Sequence, residues 1–265
     1  MSRAREMLHG SGGVGQEECD GGFRPFVASS LRSGLARKQT LVHRLHRVGG
    51  LRGKWMRRAV ITLAVLLAAC GSQAQAPDQP KKLNPSGAYV HRATGFTFPV
   101  ALGKFTRTAI TEYNQEKTDV SAGYDKVAGQ ESVAITVYVY PAPPLTSIGS
   151  PQTVIDDARQ HLCTQVWEGL KVEIAQAHPD AELLSLEQID SPFSSFRKPG
   201  HRAVFRFTGN LGGKEQPVRS EADLFCYAGG QWLVAYRTTA PDAFDYRGDL
   251  DALMHLLRWP NSLVG

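Results

Sequence analysis

The sequence predicts an α+β domain, a mainly antiparallel sheet with one long helix and one C-terminal helix packed on it, and three observations carry that prediction. Residues 131 to 140, ESVAITVYVY, alternate strictly: Val133, Ile135, Val137 and Val139 fall on one side, and Ala134, Thr136, Tyr138 and Tyr140 on the other. Between residues 150 and 178 the apolar positions change to three- and four-residue steps, at Ile155, Ala158, Leu162, Val166, Leu170, Ile174 and Ala177, the stripe of an amphipathic helix. Near the end, three further apolar runs are separated by Asn210-Leu-Gly-Gly and Ala228-Gly-Gly, glycine turns that supply the positive φ of tight hairpins.

Taken in order, residues 1 to 55 show no hydrophobic period and are rich in Gly, Arg and Ser. They read as an upstream extension produced by a start codon placed too early. Initiation at Met56 is then expected, and Cys19, His9, His43 and His46 carry no role.

From Met56 the chain runs through Arg57-Arg58, an eleven-residue apolar stretch from Ala59 to Ala69, and Cys70-Gly71-Ser72. A helix needs roughly 20 apolar residues to cross a bilayer, so this stretch is read as an export signal and not as a permanent span. Leu67-Ala68-Ala69-Cys70 resembles the lipobox of bacterial lipoprotein precursors. That resemblance implies cleavage before Cys70, a lipid on its thiol, and a protein anchored in a membrane and facing the periplasm. Gly71 in place of an Asp directly after the Cys points, within the same resemblance, to the outer membrane.

Gly71 to Ser86 holds three prolines and one large apolar residue, Leu83, and reads as a flexible tether with a reach of roughly 20 to 25 Å. A single domain is expected from residue 87 to 265. Its predicted strands are Tyr89 to Arg92 and Phe96 to Pro99 as a hairpin, Phe105 to Tyr113, Val120 to Lys126, Glu131 to Tyr140, Glu182 to Ile189, His201 to Gly209, Pro217 to Tyr227, and Gln231 to Thr239. The long helix is expected from an N-cap at Ser150, with Pro151 in its first turn and Asp156 and Asp157 near its positive end, to about His178. A second helix is expected from Phe244 to Arg258, stopped by Trp259-Pro260. Gly95-Phe-Thr-Phe-Pro99, the long central helix, the meander ending in Trp232-Leu-Val-Ala-Tyr-Arg237 and the short last helix together resemble the PsbP-like α/β/α sandwich. The resemblance implies accessory or binding roles and carries no functional residue with it.

Charge divides the chain. The first 70 residues hold 12 of the 30 Lys and Arg and 4 of the 25 Asp and Glu, a net of +8; the remainder holds 18 and 21, a net of −3. The basic character therefore belongs to the leader, and no nucleic-acid partner is expected for the domain. Its five histidines, His91, His161, His178, His201 and His255, lack metal-ligand spacing, and HExxH, CxxC, GxSxG and P-loop patterns are absent from the sequence. No catalytic residue, metal or cofactor is assigned.

Glu221 and Asp223, near Arg219 on one strand face, are read as solvated or ion-paired surface. Tyr138, Tyr140, Arg206 and Arg237 form a candidate binding surface for an anionic or sugar-like ligand, if their strands lie side by side with these residues on the non-core face. Cys163, on the helix's apolar side, and Cys226, in line with Val218, Ala222 and Leu224, are predicted to form a disulfide once export places them in an oxidising compartment. The sequence thus favours a non-catalytic, lipid-anchored envelope protein that binds a protein or glycan partner. The rival reading is a small periplasmic hydrolase or transferase with a site assembled from dispersed residues.

Overall fold

A computed structural model describes residues 79–127, 132–146, 148–193, 196 and 198–264. The extension, the export signal, Cys70 and the first half of the tether lie outside the described residues. The strands are β1 (Lys81–Leu83), β2 (Tyr89–His91), β3 (Phe96–Phe98), β4 (Ala101–Leu102), β5 (Phe105–Glu112), β6 (Val120–Lys126), β7 (Val133–Pro141), β8 (Glu182–Ile189), β9 (Gly200–Leu211), β10 (Lys214–Ala228) and β11 (Trp232–Pro241). The helices are α1 (Gln152–Ala177), α2 (Arg247–Leu256) and the single turn α3 (Asn261–Val264). Nine strands form one antiparallel sheet in the order β1-β5-β6-β7-β11-β10-β9-β8, with β4 paired to β5, while β2 and β3 form a separate ribbon. This is the α+β class that the patterning predicts.

Period-two alternation gives the sheet two apolar faces, and each has its own cover. Val133, Ile135, Val137 and Val139 join Phe96, Phe98, Leu250, Leu253, Leu257 and Trp259 in a layer closed by α2 and the β2–β3 ribbon. Tyr138, Tyr140, Phe205, Phe207 and Leu224 face the other way, under Val166, Trp167, Leu170 and Ile174 of α1. Each fully buried Leu contributes about 1.5–3 kcal/mol relative to exposure.

Local differences from the sequence reading have physical causes. Pro151 rather than Ser150 caps α1: its carbonyl takes the Val154 and Ile155 amides, and no side chain caps that end. Asp156 and Asp157 consequently lie beyond the first turn, where the dipole interaction has faded. Lys81–Leu83, assigned to the tether, pairs instead with Ile110 to Glu112, because Leu83 packs on the apolar layer and the strand satisfies the edge of β5. The C-terminal helix spans Arg247–Leu256, shorter than expected at both ends, and the chain beyond Pro260 turns once more to bury Leu263. Here Gly229, with φ of 54°, donates its amide to the Leu263 carbonyl; a Cβ at Gly229 would overlap the Ser262 carbonyl.

The predicted cysteine pairing is found. Cys163 of α1 and Cys226 of β10 form a disulfide with Cα atoms 5.9 Å apart, tying the helix to the sheet across 63 residues.

Candidate functional site

The four residues expected to share a binding surface do not do so. Pleating sends Arg206 to one side of the sheet and Tyr138, Tyr140 and Arg237 to the other, where α1 lies over them. Tyr138 and Tyr140 are buried, so this is no open aromatic face. The sheet has no uncovered non-core face here, because both faces are core.

Beneath α1, the Arg237 guanidinium donates to Ser220 Oγ and to His178 Nε2, at 3.4 and 3.3 Å. Burial, aided by Arg237, keeps the His178 pKa low, which suits a neutral ring with an accepting nitrogen. Burial raises Glu173 to about 7, against the pull of Arg237, and raises Asp119 to about 7. Both carboxyls act on the Tyr140 hydroxyl, which burial already holds in its neutral form. Tyr140 and Ser220 in this cluster are buried, while Asp119, Glu173, His178 and Arg237 are half-buried.

The opposite face at the β8 edge is different. There an open cleft of about 620 Å³ lies between Ser185 of β8, Val204 of β9, Arg219 of β10 and the turn from Asp242 to Arg247 that leads into α2. Register places Arg206 and Arg219 directly opposite each other on β9 and β10. Two like charges in that position repel, and one carboxylate bridges them: Asp242 Oδ2 lies 3.0 Å from Arg206 Nε and Asp242 Oδ1 lies 3.1 Å from Arg219 Nη2, while Glu182 Oε2 on β8 lies 3.6 Å from Arg206 Nη1. The Arg206 contact is not aligned for a hydrogen bond, and Arg219 Nε has no acceptor either. Two buried donors beside the cleft are thus unsatisfied, as are Arg107 Nε and Arg159 Nε elsewhere, and an incoming acceptor at the cleft could serve the first two. Arg247 supplies a third guanidinium from the start of α2.

The cleft rests on a buried ionic network. Arg202 donates Nε and Nη2 to the two oxygens of Asp223, at 2.7 and 2.8 Å. Its Nε also lies 2.8 Å from Glu221 Oε1, but a single N–H hydrogen cannot be aimed at both, and Glu221 Oε1 is left with a charge contact alone. Glu221 Oε2 accepts from the Tyr246 hydroxyl at 2.9 Å and lies 3.3 Å from Arg247 Nη2. Desolvation, with Asp223 beside it, pushes Glu221 up to about 7 against the pull of Arg202 and Arg247. Asp223 is raised by burial in turn. The reading of this pair as solvated or ion-paired surface is right about the ion pairing and corrected about the surface: Glu221 is 1% and Asp223 0% exposed, because β10 runs between β9 and β11 inside the sheet and Tyr246 and α2 cover this face.

No protein family's model matches the chain, and no curated protein is significantly similar to it. Among the described residues there is no group of three or more His, Cys, Asp or Glu placed to hold a metal ion, and no helix long and apolar enough to cross a membrane. Sequence reasoning selected Arg206, which lies beside the cleft, and noted Arg219, which lines it, but missed Asp242, Tyr246 and Arg247. One signal was available: a cation at the first position of a helix opposes the dipole, and Arg247 occupies that position.

Proposed function

We propose that this chain is a lipid-anchored cell-envelope protein whose domain binds the anionic group of an envelope partner in the arginine cleft and performs no chemistry on it. The observation that carries the binding assignment is the pair Arg206 and Arg219, opposed across two strands and bridged by the Asp242 carboxylate, with Arg219 and Arg247 lining the cleft and Arg206 beside it. Arginine suits this role because its planar fork matches carboxylate, sulfate and phosphate oxygens.

Leu67-Ala68-Ala69-Cys70 supports the anchor, and the Cys163–Cys226 bridge is consistent with an oxidising compartment. Helices on both faces of the sheet are what the PsbP-like resemblance requires, at the level of fold alone. The catalytic alternative draws its support from Glu221, a carboxyl raised to about 7 behind the cleft residues Tyr246 and Arg247. Its near-complete burial argues against contact with a substrate.

Binding to uronic-acid oligosaccharides, neutral oligosaccharides of equal length and acidic peptides tests the proposal. Saturable binding of an anionic member that weakens with salt and is lost in Arg219→Ala supports it; equal binding of the neutral sugars, or turnover of any of them, overturns it.

A further inference from the structure

Arg247 is shared between two tasks. Its guanidinium lines the cleft and is 42% exposed, yet it also lies 3.3 Å from Glu221 Oε2, the longest of the polar contacts made by that carboxylate. The partners of Glu221 on the other elements are already committed. Arg202 on β9 gives its aligned hydrogen bonds to Asp223, and the Tyr246 hydroxyl occupies the same oxygen that Arg247 approaches. The remaining charges around the pair are Asp223 on its own strand, Asp251 on α2, which acts on Asp223, Glu187 on β8, which acts on Arg202, and Arg219, which acts on Tyr246. If Arg247 turned away, Glu221 would be a carboxylate with 1% exposure, one hydroxyl donor and an unaligned guanidinium. Arg202 would still pull toward the charged form, but one of the two guanidiniums that oppose the desolvation of Glu221 would be gone, which moves the group toward its protonated form. Beside Arg247, the space at Gly248 in the first turn of α2 is open, so an incoming group meets no side chain there.

We propose that an anionic ligand is captured by exchange: its sulfate, phosphate or carboxylate group takes the Arg247 guanidinium from Glu221, and Glu221 takes up one proton from solvent. Charge balances, since the ligand anion replaces the Glu221 anion as the partner of Arg247. The inference rests on the anion-binding reading of the cleft and adds to it a direction of pH control: low pH favours loading and high pH favours release.

Sulfate is the probe of choice because its own charge is constant from pH 5 to 9. Calorimetric titration of the full chain with sulfate, in two buffers of different ionisation heat at pH 8, reads proton uptake directly. Net proton uptake of up to one per sulfate is expected, with affinity weakening by at most tenfold per unit as pH rises above 7 and levelling below about pH 6. Glu221→Gln is expected to keep sulfate binding and lose both the uptake and the slope. The wild-type uptake decides the matter even if that variant fails to fold. Sulfate binding without proton uptake, or uptake that persists in Glu221→Gln, overturns the exchange and leaves the cleft reading standing. No sulfate binding at any pH overturns both.

Discussion

Arg206 and Arg219 stand directly opposite each other on β9 and β10, and the carboxylate of Asp242 is the bridge between them. In a sheet such a like-charge pair is destabilising, so its counter-ion has two effects that pull apart on substitution. Asp242→Asn should lower stability by about 1 kcal/mol and, by releasing two guanidiniums, raise sulfate affinity several-fold. Thermal unfolding with and without sulfate reads both. Loss of stability together with loss of affinity would make Asp242 part of the ligand site.

The disulfide closes a long loop. Removing it by Cys226→Ala, or by reduction, should destabilise the domain by about 4 kcal/mol, since α1 then has only its apolar contacts to hold it on β10. Denaturant midpoints with and without reductant, checked by alkylation and intact mass, measure this. Two alkylatable thiols in unreduced protein would show that the pair only packs.

Stability should also depend on pH in a defined direction. Asp119, Glu173 and Glu221 are raised to about 7 in the folded chain, whereas their unfolded values lie near 4. Folding therefore favours their protonated forms, and that stability is complete below about pH 4 and lost as pH rises through about 7. From pH 6 to pH 8 each should cost up to about 1 kcal/mol, a fall in Tm of a few degrees. His91, His178 and His201, whose pKa values burial lowers, act in the opposite sense and only below about pH 6.5. Differential scanning calorimetry at pH 6 and 8 reports the sum, and Asp119→Asn should remove its share. A Tm that rises from pH 6 to 8 would contradict this account.

Much of the architecture was legible because pleat and helix periods are properties of the local sequence. The faces of Val133 to Tyr140, the bounds of Val120–Lys126 and Glu182–Ile189, and the inward direction of Cys163 and Cys226 all follow from spacing. The candidate site was legible only in part. Which side of the sheet Arg206 occupies relative to Arg237 depends on the β9–β10–β11 register, and which faces stay open depends on α2 and the β2–β3 ribbon, neither of which a strand pattern reveals. Asp242, Tyr246 and Arg247 reach the cleft through a turn whose path is set by tertiary packing. Lys81–Leu83 was hidden for a simpler reason: three residues are too few to show a period.

For the anchor, metabolic labelling with a fatty-acid probe should tag the wild type, and Cys70→Ala should abolish the label and free the protein from membranes. Label that survives the substitution would refute lipidation at Cys70, whatever the cleft binds.

The central claim, that the arginine cleft is where the ligand's anion docks, is tested most directly by NMR of the arginine Nε–H groups during a sulfate titration. Arg206 and Arg219 Nε lack an aligned acceptor, while Arg202 Nε is engaged by Asp223 at 2.7 Å. The account predicts that the Arg206 and Arg219 signals move downfield and saturate together as sulfate supplies their missing acceptor, with the Arg202 signal largely unmoved. Arg206 and Arg219 signals that stay fixed, or that shift only linearly with salt along with every exposed arginine, would contradict it.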